Sequence, residues 1–167
     1  MVRTISILAV AIFIAGCTTK QEPKAVFDVM EFMAGQLENT LQEENNPTKI
    51  PRTINADGSL KTVDLYSWTS GFFAGNLWYM YELTKEEKWK TEAIRWTEAL
   101  DTIQYWSGNH DVGFMMYCSY GNGLKFAGTD FKDILTQTAK SLSKRYSDTT
   151  KSIEFRMHLH ELSFASW

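Results

Sequence analysis

The chain is poor in the residues from which disulfide frameworks and closed metal sites are built. It has two cysteines, Cys17 and Cys118, and three histidines in 167 residues. No cysteine or histidine spacing matches a tetrahedral zinc site, and His158 and His160, two apart, lack a carboxylate spacing that would make them metal ligands. It also has no basic run. Seventeen Lys and Arg against twenty Asp and Glu leave a formal charge of −3, which excludes nucleic acid held by phosphate neutralisation. Strand-like alternation of useful length is missing, as is a tight internal repeat. Tyr120-Gly121-Asn122-Gly123 reads as a turn and lacks the spacing of a phosphate loop. The last stretch, 151–167, lacks the glycine and turn residues found elsewhere and reads as an atypical tail.

What is present begins with an address. Met1 to Gly16 carries one charge, Arg3, ahead of an apolar run from Ile5 to Ala15. That run is too short to span a bilayer comfortably and reads as a signal peptide over 1–16. Ile14-Ala15-Gly16-Cys17 matches the bacterial lipobox, with polar residues following. The expectation is a lipidated Cys17 on a short tether, 17–23, placing the protein at the cell envelope with its domain in water. Cys118 is then alone and is expected to be a buried structural thiol.

The remaining length allows one domain, 24–150. Val26, Val29, Met33, Leu37 and Leu41 recur at helical spacing over 24–44, and Asn45-Asn46-Pro47 stops that helix. A polar connection over 48–64 carries Pro51 and the turn Asp57-Gly58. From Trp68 to Leu83 the pattern is apolar nearly all round, which predicts a helix buried on every side. Thr84 with Glu87 has capping-box spacing for the next helix, whose stripe is Trp89, Ala93, Trp96, Leu100 and Ile103. A further amphipathic helix is predicted from Thr129, its N-cap, to Tyr146, with Phe131, Ile134, Leu135 and Leu142 inward. The class is all-α, with buried and one-sided helices alternating as two concentric layers.

Two stretches carry the candidate chemistry. In Asn109-His110-Asp111-Val112-Gly113-Phe114 an imidazole and a carboxylate adjoin, followed by an apolar run. Neighbouring charge and desolvation would act on Asp111 in opposite directions. It serves either as a catalytic carboxylate, in glycoside chemistry that commonly uses two, or as the N-cap of a helix starting at Val112. Upstream, Trp68 and Phe72 lie four apart in Trp68-Thr69-Ser70-Gly71-Phe72-Phe73-Ala74-Gly75, with Gly71 and Gly75 keeping the region slim. They form either a stacking wall for a sugar or ordinary core. The six tryptophans allow the same two readings.

Taken in order, these two stretches resemble the unsaturated glucuronyl hydrolases, glycoside hydrolase family 88, over roughly 25–150. The resemblance implies part of an (α/α)6 six-hairpin toroid, roughly its first four or five helices. It also implies an unusual reaction: the 4,5-unsaturated glucuronic acid left by polysaccharide lyases at a non-reducing end is released by hydration of its vinyl ether. One aspartate protonates the double bond, water adds at C5, and the hemiketal collapses. Asp111 matches the family's first essential aspartate and His110 its pocket neighbour. Trp68 and Phe72 match aromatic positions around the unsaturated sugar. No metal or organic cofactor is implied, and the implied partner is an unsaturated uronic-acid oligosaccharide. The family's second aspartate belongs beyond Trp167, and Asp148 does not replace it. The expectation is therefore a truncated or frame-shifted product with 151–167 as its altered end. The related unsaturated rhamnogalacturonyl hydrolases, or a lipoprotein that binds glycans without cleaving them, are the alternatives.

Overall fold

The computed structural model describes residues 24–153, with side chains from Phe27. The signal segment, Cys17, and the tail from Glu154, including His158, His160 and Trp167, lie outside the described residues.

The chain opens with α1 (Lys24–Glu43). Its predicted stripe splits in two: Leu37 and Leu41 pack on the core, whereas Val29 and Met33 are exposed. Next come β1 (Ile50–Ile54) and β2 (Leu60–Val63), an antiparallel hairpin pairing Ile50 with Val63 and Ile54 with Leu60. It occupies the stretch expected to be a plain connection. Its register is irregular between Pro51 and Thr53, and Ile50 is its one deeply buried residue. Bulge and exposure together erase the alternation by which a strand is recognised. Asp57-Gly58 forms the turn as expected, with Gly58 at φ 87° and Asn55 N–H donating to the Ser59 carbonyl at 2.8 Å.

Helix α2 (Ser70–Thr84) is the axis of the fold. Gly71, Phe73, Ala74, Gly75, Leu77, Trp78 and Met80 are buried. It is not buried on every side, however: Asn76, Tyr79 and Leu83 are exposed and Phe72 is partly so, one open stripe at four-three-four spacing. Helix α3 (Glu87–Glu98) follows, with Glu86 at its N-cap position. Thr84 therefore does not start α3; it ends α2, donating to the Met80 carbonyl at 2.8 Å and accepting the Glu86 N–H at 3.2 Å. The predicted stripe of α3 is fully buried from Trp89 through Ala93 and Trp96 to Leu100 and Ile103. The last two lie beyond the helix proper, Ile103 in a 3-10 turn over Asp101–Tyr105.

The second half is more broken. Helix α4 (Val112–Met116) passes through a π turn over Tyr117–Gly121 into α5 (Asn122–Ala127), so Tyr120-Gly121-Asn122-Gly123 is helical, not a turn. The Ser119 hydroxyl donates to the Met115 carbonyl at 2.7 Å and approaches that of Met116 at 3.3 Å, an intrusion into the ladder that accompanies such bulges. Helix α6 (Lys132–Ser143) is capped at Phe131, not Thr129, and stops before Tyr146. Tyr146 instead begins β3 (Tyr146–Ser147), paired with β4 (Ser152–Ile153).

Two layers result. Phe73 meets Trp96 at 4.7 Å between ring centroids, while Lys90 lies over Tyr81 at 5.5 Å, so α3 runs antiparallel to α2. Tyr120 meets Phe131 at 4.8 Å and Gly113 faces Leu142, so α6 runs antiparallel to α4–α5. One buried cluster gathers α2 and α3 around Trp78, Trp89 and Trp96; another gathers Leu100, Ile103, Val112, Met115, Met116 and Tyr120. The helical class expected from the sequence stands, with the hairpins as its unforeseen addition.

Candidate active site

The inner pair, α2 and α4–α5, sets the geometry of the site. Glycine inside a helix costs about 1 kcal/mol against alanine, and here that cost permits a close crossing. A Cβ on Gly71 would lie 1.9 Å from the Met115 carbonyl oxygen. A Cβ on Gly75 would lie 3.0 Å from the Cys118 oxygen, and one on Gly123 would lie 2.9 Å from the Trp78 ring. Position numbers rise together along both helices, so the two run parallel. Parallel packing puts their N-terminal ends side by side. Trp68 lies just ahead of α2 and Asp111 just ahead of α4, at the same end of the molecule.

Asp111 occupies the N-cap position, yet its side chain makes no capping hydrogen bond. Its backbone is helical, φ −72° and ψ −2°, rather than extended as a side-chain cap prefers. The carboxylate instead meets His110, with Nε2 and Oδ1 3.1 Å apart. Both side chains are largely buried, 29% and 18% exposed, so contact with water remains. The Asp111 N–H donates to Asn109 Oδ1 at 3.0 Å, and its carbonyl accepts the Met115 N–H at 3.0 Å. The preceding loop is pinned as well. Arg145 donates to the Ser107 carbonyl at 2.8 Å, and Trp106 meets Tyr66 edge-on at 5.1 Å. A carboxylate fixed by its backbone, touching an imidazole and still open to water, can exchange protons or stabilise positive charge.

Trp68 and Phe72 stand perpendicular with centroids 5.7 Å apart. Trp68 is 46% exposed, so it is a surface group rather than core. The two wall a cleft of about 590 Å³ between α1, the first hairpin and α2, which Arg52, Thr53, Gln36 and Asn76 also line. A smaller cleft of about 370 Å³ lies on the other side of Phe72 and Asn76, bounded by Tyr79, Tyr117, Cys118, Asn122 and Lys125. His110 and Asp111 line neither cleft. The structure thus joins His110 to Asp111 and Trp68 to Phe72, and sets the pairs at one end without bringing both into either of these two clefts. Cys118 is half-buried on the smaller cleft rather than a core thiol, and desolvation raises its pKa. Among the described residues no three His, Cys, Asp or Glu approach as metal ligands would, and no helix is long and apolar enough to cross a membrane.

Sequence reasoning missed the cleft residues Asn76, Tyr79, Tyr117 and Lys125. One signal was available: a lone asparagine between Phe72 and Tyr79, at helical spacing in an otherwise apolar helix, marks a face that is not core.

No family model matches the chain. Individual relatives do. An unsaturated glucuronyl hydrolase of Formosa agariphila is 37% identical over 142 residues, 81% of this chain and 35% of that protein. One from Bacillus sp. strain GL1 is 39% identical over 66 residues, 36% of this chain and 17% of its own. The crystal structure of an unsaturated glucuronyl hydrolase specific for heparin superposes with a TM-score of 0.71 at 37% identity, over 78% of this chain and 36% of that one. The enzyme from Streptococcus agalactiae shares the fold, with a TM-score of 0.71 at 22% identity over 80% and 34% of the two chains. The chain spans about a third of the length of the Formosa agariphila relative. By sequence and by fold, the chain belongs to the unsaturated glucuronyl hydrolase family, as a partial α/α toroid.

Proposed function

We propose that the protein acts in removing 4,5-unsaturated glucuronic acid from the non-reducing end of lyase-generated oligosaccharides by hydration of the vinyl ether. The parallel seam at Gly71, Gly75 and Gly123 carries this reading, because it brings the Asp111 carboxylate and the Trp68 indole to one end of the molecule. Asp111 is assigned to the reaction as the family's first essential aspartate, and His110 orients it. Trp68 and Phe72 take the faces of the sugar. Protonating an enol ether leaves an oxocarbenium-like centre, and a fixed carboxylate lowers the barrier by stabilising that charge. We also assign Cys17 to lipid attachment, which would hold the domain at the cell envelope where such fragments arrive.

The test follows the ultraviolet absorbance of a lyase-generated unsaturated disaccharide, whose conjugation is lost on hydration. Decay abolished by Asp111→Asn supports the assignment. A disaccharide that binds and keeps its absorbance overturns it in favour of a glycan-binding lipoprotein.

A further inference from the structure

The two halves of α1 meet different surroundings. Its C-terminal half is fastened to the fold. Leu37 and Leu41 pack on the first core, Glu38 pairs with Lys88 at 2.8 Å, and Glu43 accepts the Leu60 N–H at 3.2 Å. Nearer its start, Val29, Phe32 and Met33 are 56%, 66% and 42% exposed. Spacings of three and four put them on one face of the helix, with the exposed acids Asp28 and Glu31 on another side. A ring and two aliphatic groups gathered on one open face mark an interaction surface.

The sequence ahead of α1 says what lies within reach of that face. Cys17 stands seven residues before Lys24, and a segment of that length extends at most about 25 Å. From Lys24 to Phe32 the helix rises by about 12 Å. Acyl chains on Cys17 therefore keep the face close to a bilayer, at a local concentration on the order of millimolar. A contact too weak to recruit the protein from solution is populated once the anchor is in place. Its chemistry suits lipid: apolar side chains enter the headgroup–acyl boundary while acids on another side of the helix stay in water. Along the same face the character then changes. Gln36 and Thr40, which continue the spacing, are polar and line the cleft walled by Trp68.

We propose that the Val29, Phe32 and Met33 face of α1 docks on the lipid bilayer that holds the acyl chains of Cys17. The proposal rests on the lipidation of Cys17 and adds an orientation to it. The start of α1 enters the headgroup boundary, and Thr40, one wall of the cleft, stands about 12 Å further along the helix from Phe32. The domain does not tumble on its tether but keeps one side to the membrane and its cleft clear of it.

The test uses the full chain made as a lipoprotein and reconstituted into vesicles of phosphatidylethanolamine and phosphatidylglycerol, with intact mass reading the acylation of Cys17. In a Cys118→Ser background, a bimane fluorophore is attached at Phe32→Cys or, as control, at Asp133→Cys, an exposed position on α6. Nitroxides near the top of the lipid acyl chains should quench the first probe about two-fold or more and leave the second unchanged. Val29→Asp with Met33→Asp, checked for acylation and helix content, should abolish that quenching. Equal quenching at both probes shows a domain with no preferred side and overturns the docking. A Phe32 probe shielded from water yet untouched by the nitroxide also overturns it, in favour of a second copy or further protein covering the face. Acylation without quenching leaves the Cys17 assignment standing and overturns the docking alone; a chain without the acyl mass overturns both.

Discussion

The molecule holds two versions of the same helical hairpin. In α2–α3 the inner helix runs unbroken over fifteen residues and its core is built from tryptophans, with Trp78 Nε1 donating to Thr97 Oγ1 at 2.9 Å inside it. In α4–α5–α6 the inner helix starts beside an acid, bulges through a π turn and resumes for six residues, over a core of Leu, Ile, Val, Met and Tyr. The regular hairpin carries its open aromatic stripe on a rigid rod. The irregular one holds Asp111 at its start and exposes Tyr117 at its bulge. A straight helix cannot present a carboxylate at its tip and re-aim a ring a turn and a half later; the irregularity does both. Stability and chemistry are thus unevenly shared between two copies of one motif.

That division is broken most severely at Trp78. Trp78→Ala removes a fully buried indole, its bond to Thr97, and the ring against Gly123. The expected loss is about 3–5 kcal/mol. Met116→Ala in the second core should cost less, about 2–3 kcal/mol. Chemical denaturation of the two variants checks the order, and a larger loss at Met116 would reverse the assignment of the stable half.

The seam between the hairpins comes next. Gly71→Ala places a methyl 1.9 Å from a backbone oxygen, which no side-chain rotation relieves. The expected cost is about 1–3 kcal/mol from forced separation of α2 and α4, against the gain of about 1 kcal/mol that the same change gives in an open helix. Gly35→Ala on α1 has nothing within 4 Å of the added carbon and should show that gain. Thermal melts of the two variants moving in opposite directions would confirm that packing, rather than propensity, placed Gly71.

Tyr120 sharpens the comparison through pH. Its phenol lies inside the second core, and desolvation, followed by the nearby Asp101 and Glu98, pushes its pKa well above the ordinary value of 10.0. The folded protein therefore keeps this proton when the unfolded chain has lost it. Stability from this group is fully present below pH 10 and falls as pH rises above it, by up to about 1.4 kcal/mol per unit. Tyr120→Phe should flatten that part of the profile, read by chemical denaturation at a series of alkaline pH values.

The regular hairpin was legible in the sequence because its physics is periodic. Trp89, Ala93, Trp96, Leu100 and Ile103 recur at helical spacing, and all are buried. The irregular one was misread at Gly121 and Gly123. Glycines in sequence suggest a turn, but these two sit inside a helix because Tyr117, Phe131 and Trp78 leave no space for a Cβ. Tertiary contact is invisible in a window of ten residues. The same holds for Thr84 and Thr129, whose spacing suits a cap while the N-cap positions of the two helices are Glu86 and Phe131. The acid and the aromatic pair were visible as residue types; that they share an end of the molecule required the parallel seam.

The smallest expected effect separates the two readings of Asp111. If it served as an N-cap, Asp111→Ala would cost about 1 kcal/mol through loss of a side-chain bond to the helix's first N–H groups. No such bond exists here, and the carboxylate faces His110 instead. The pair is partly open to water, where contacts of this kind contribute about 0–1 kcal/mol. Asp111→Asn keeps the shape and removes only the charge, so the stability read from its melting curve should change by no more than about 1 kcal/mol. Its effect on vinyl-ether hydration should be about 100-fold or more, because a positioned acid–base group contributes at that scale. A structural residue gives the opposite pattern, with stability and activity lost together. The irregular hairpin would then be a weaker copy of the regular one, and its bulge would have no chemistry to serve.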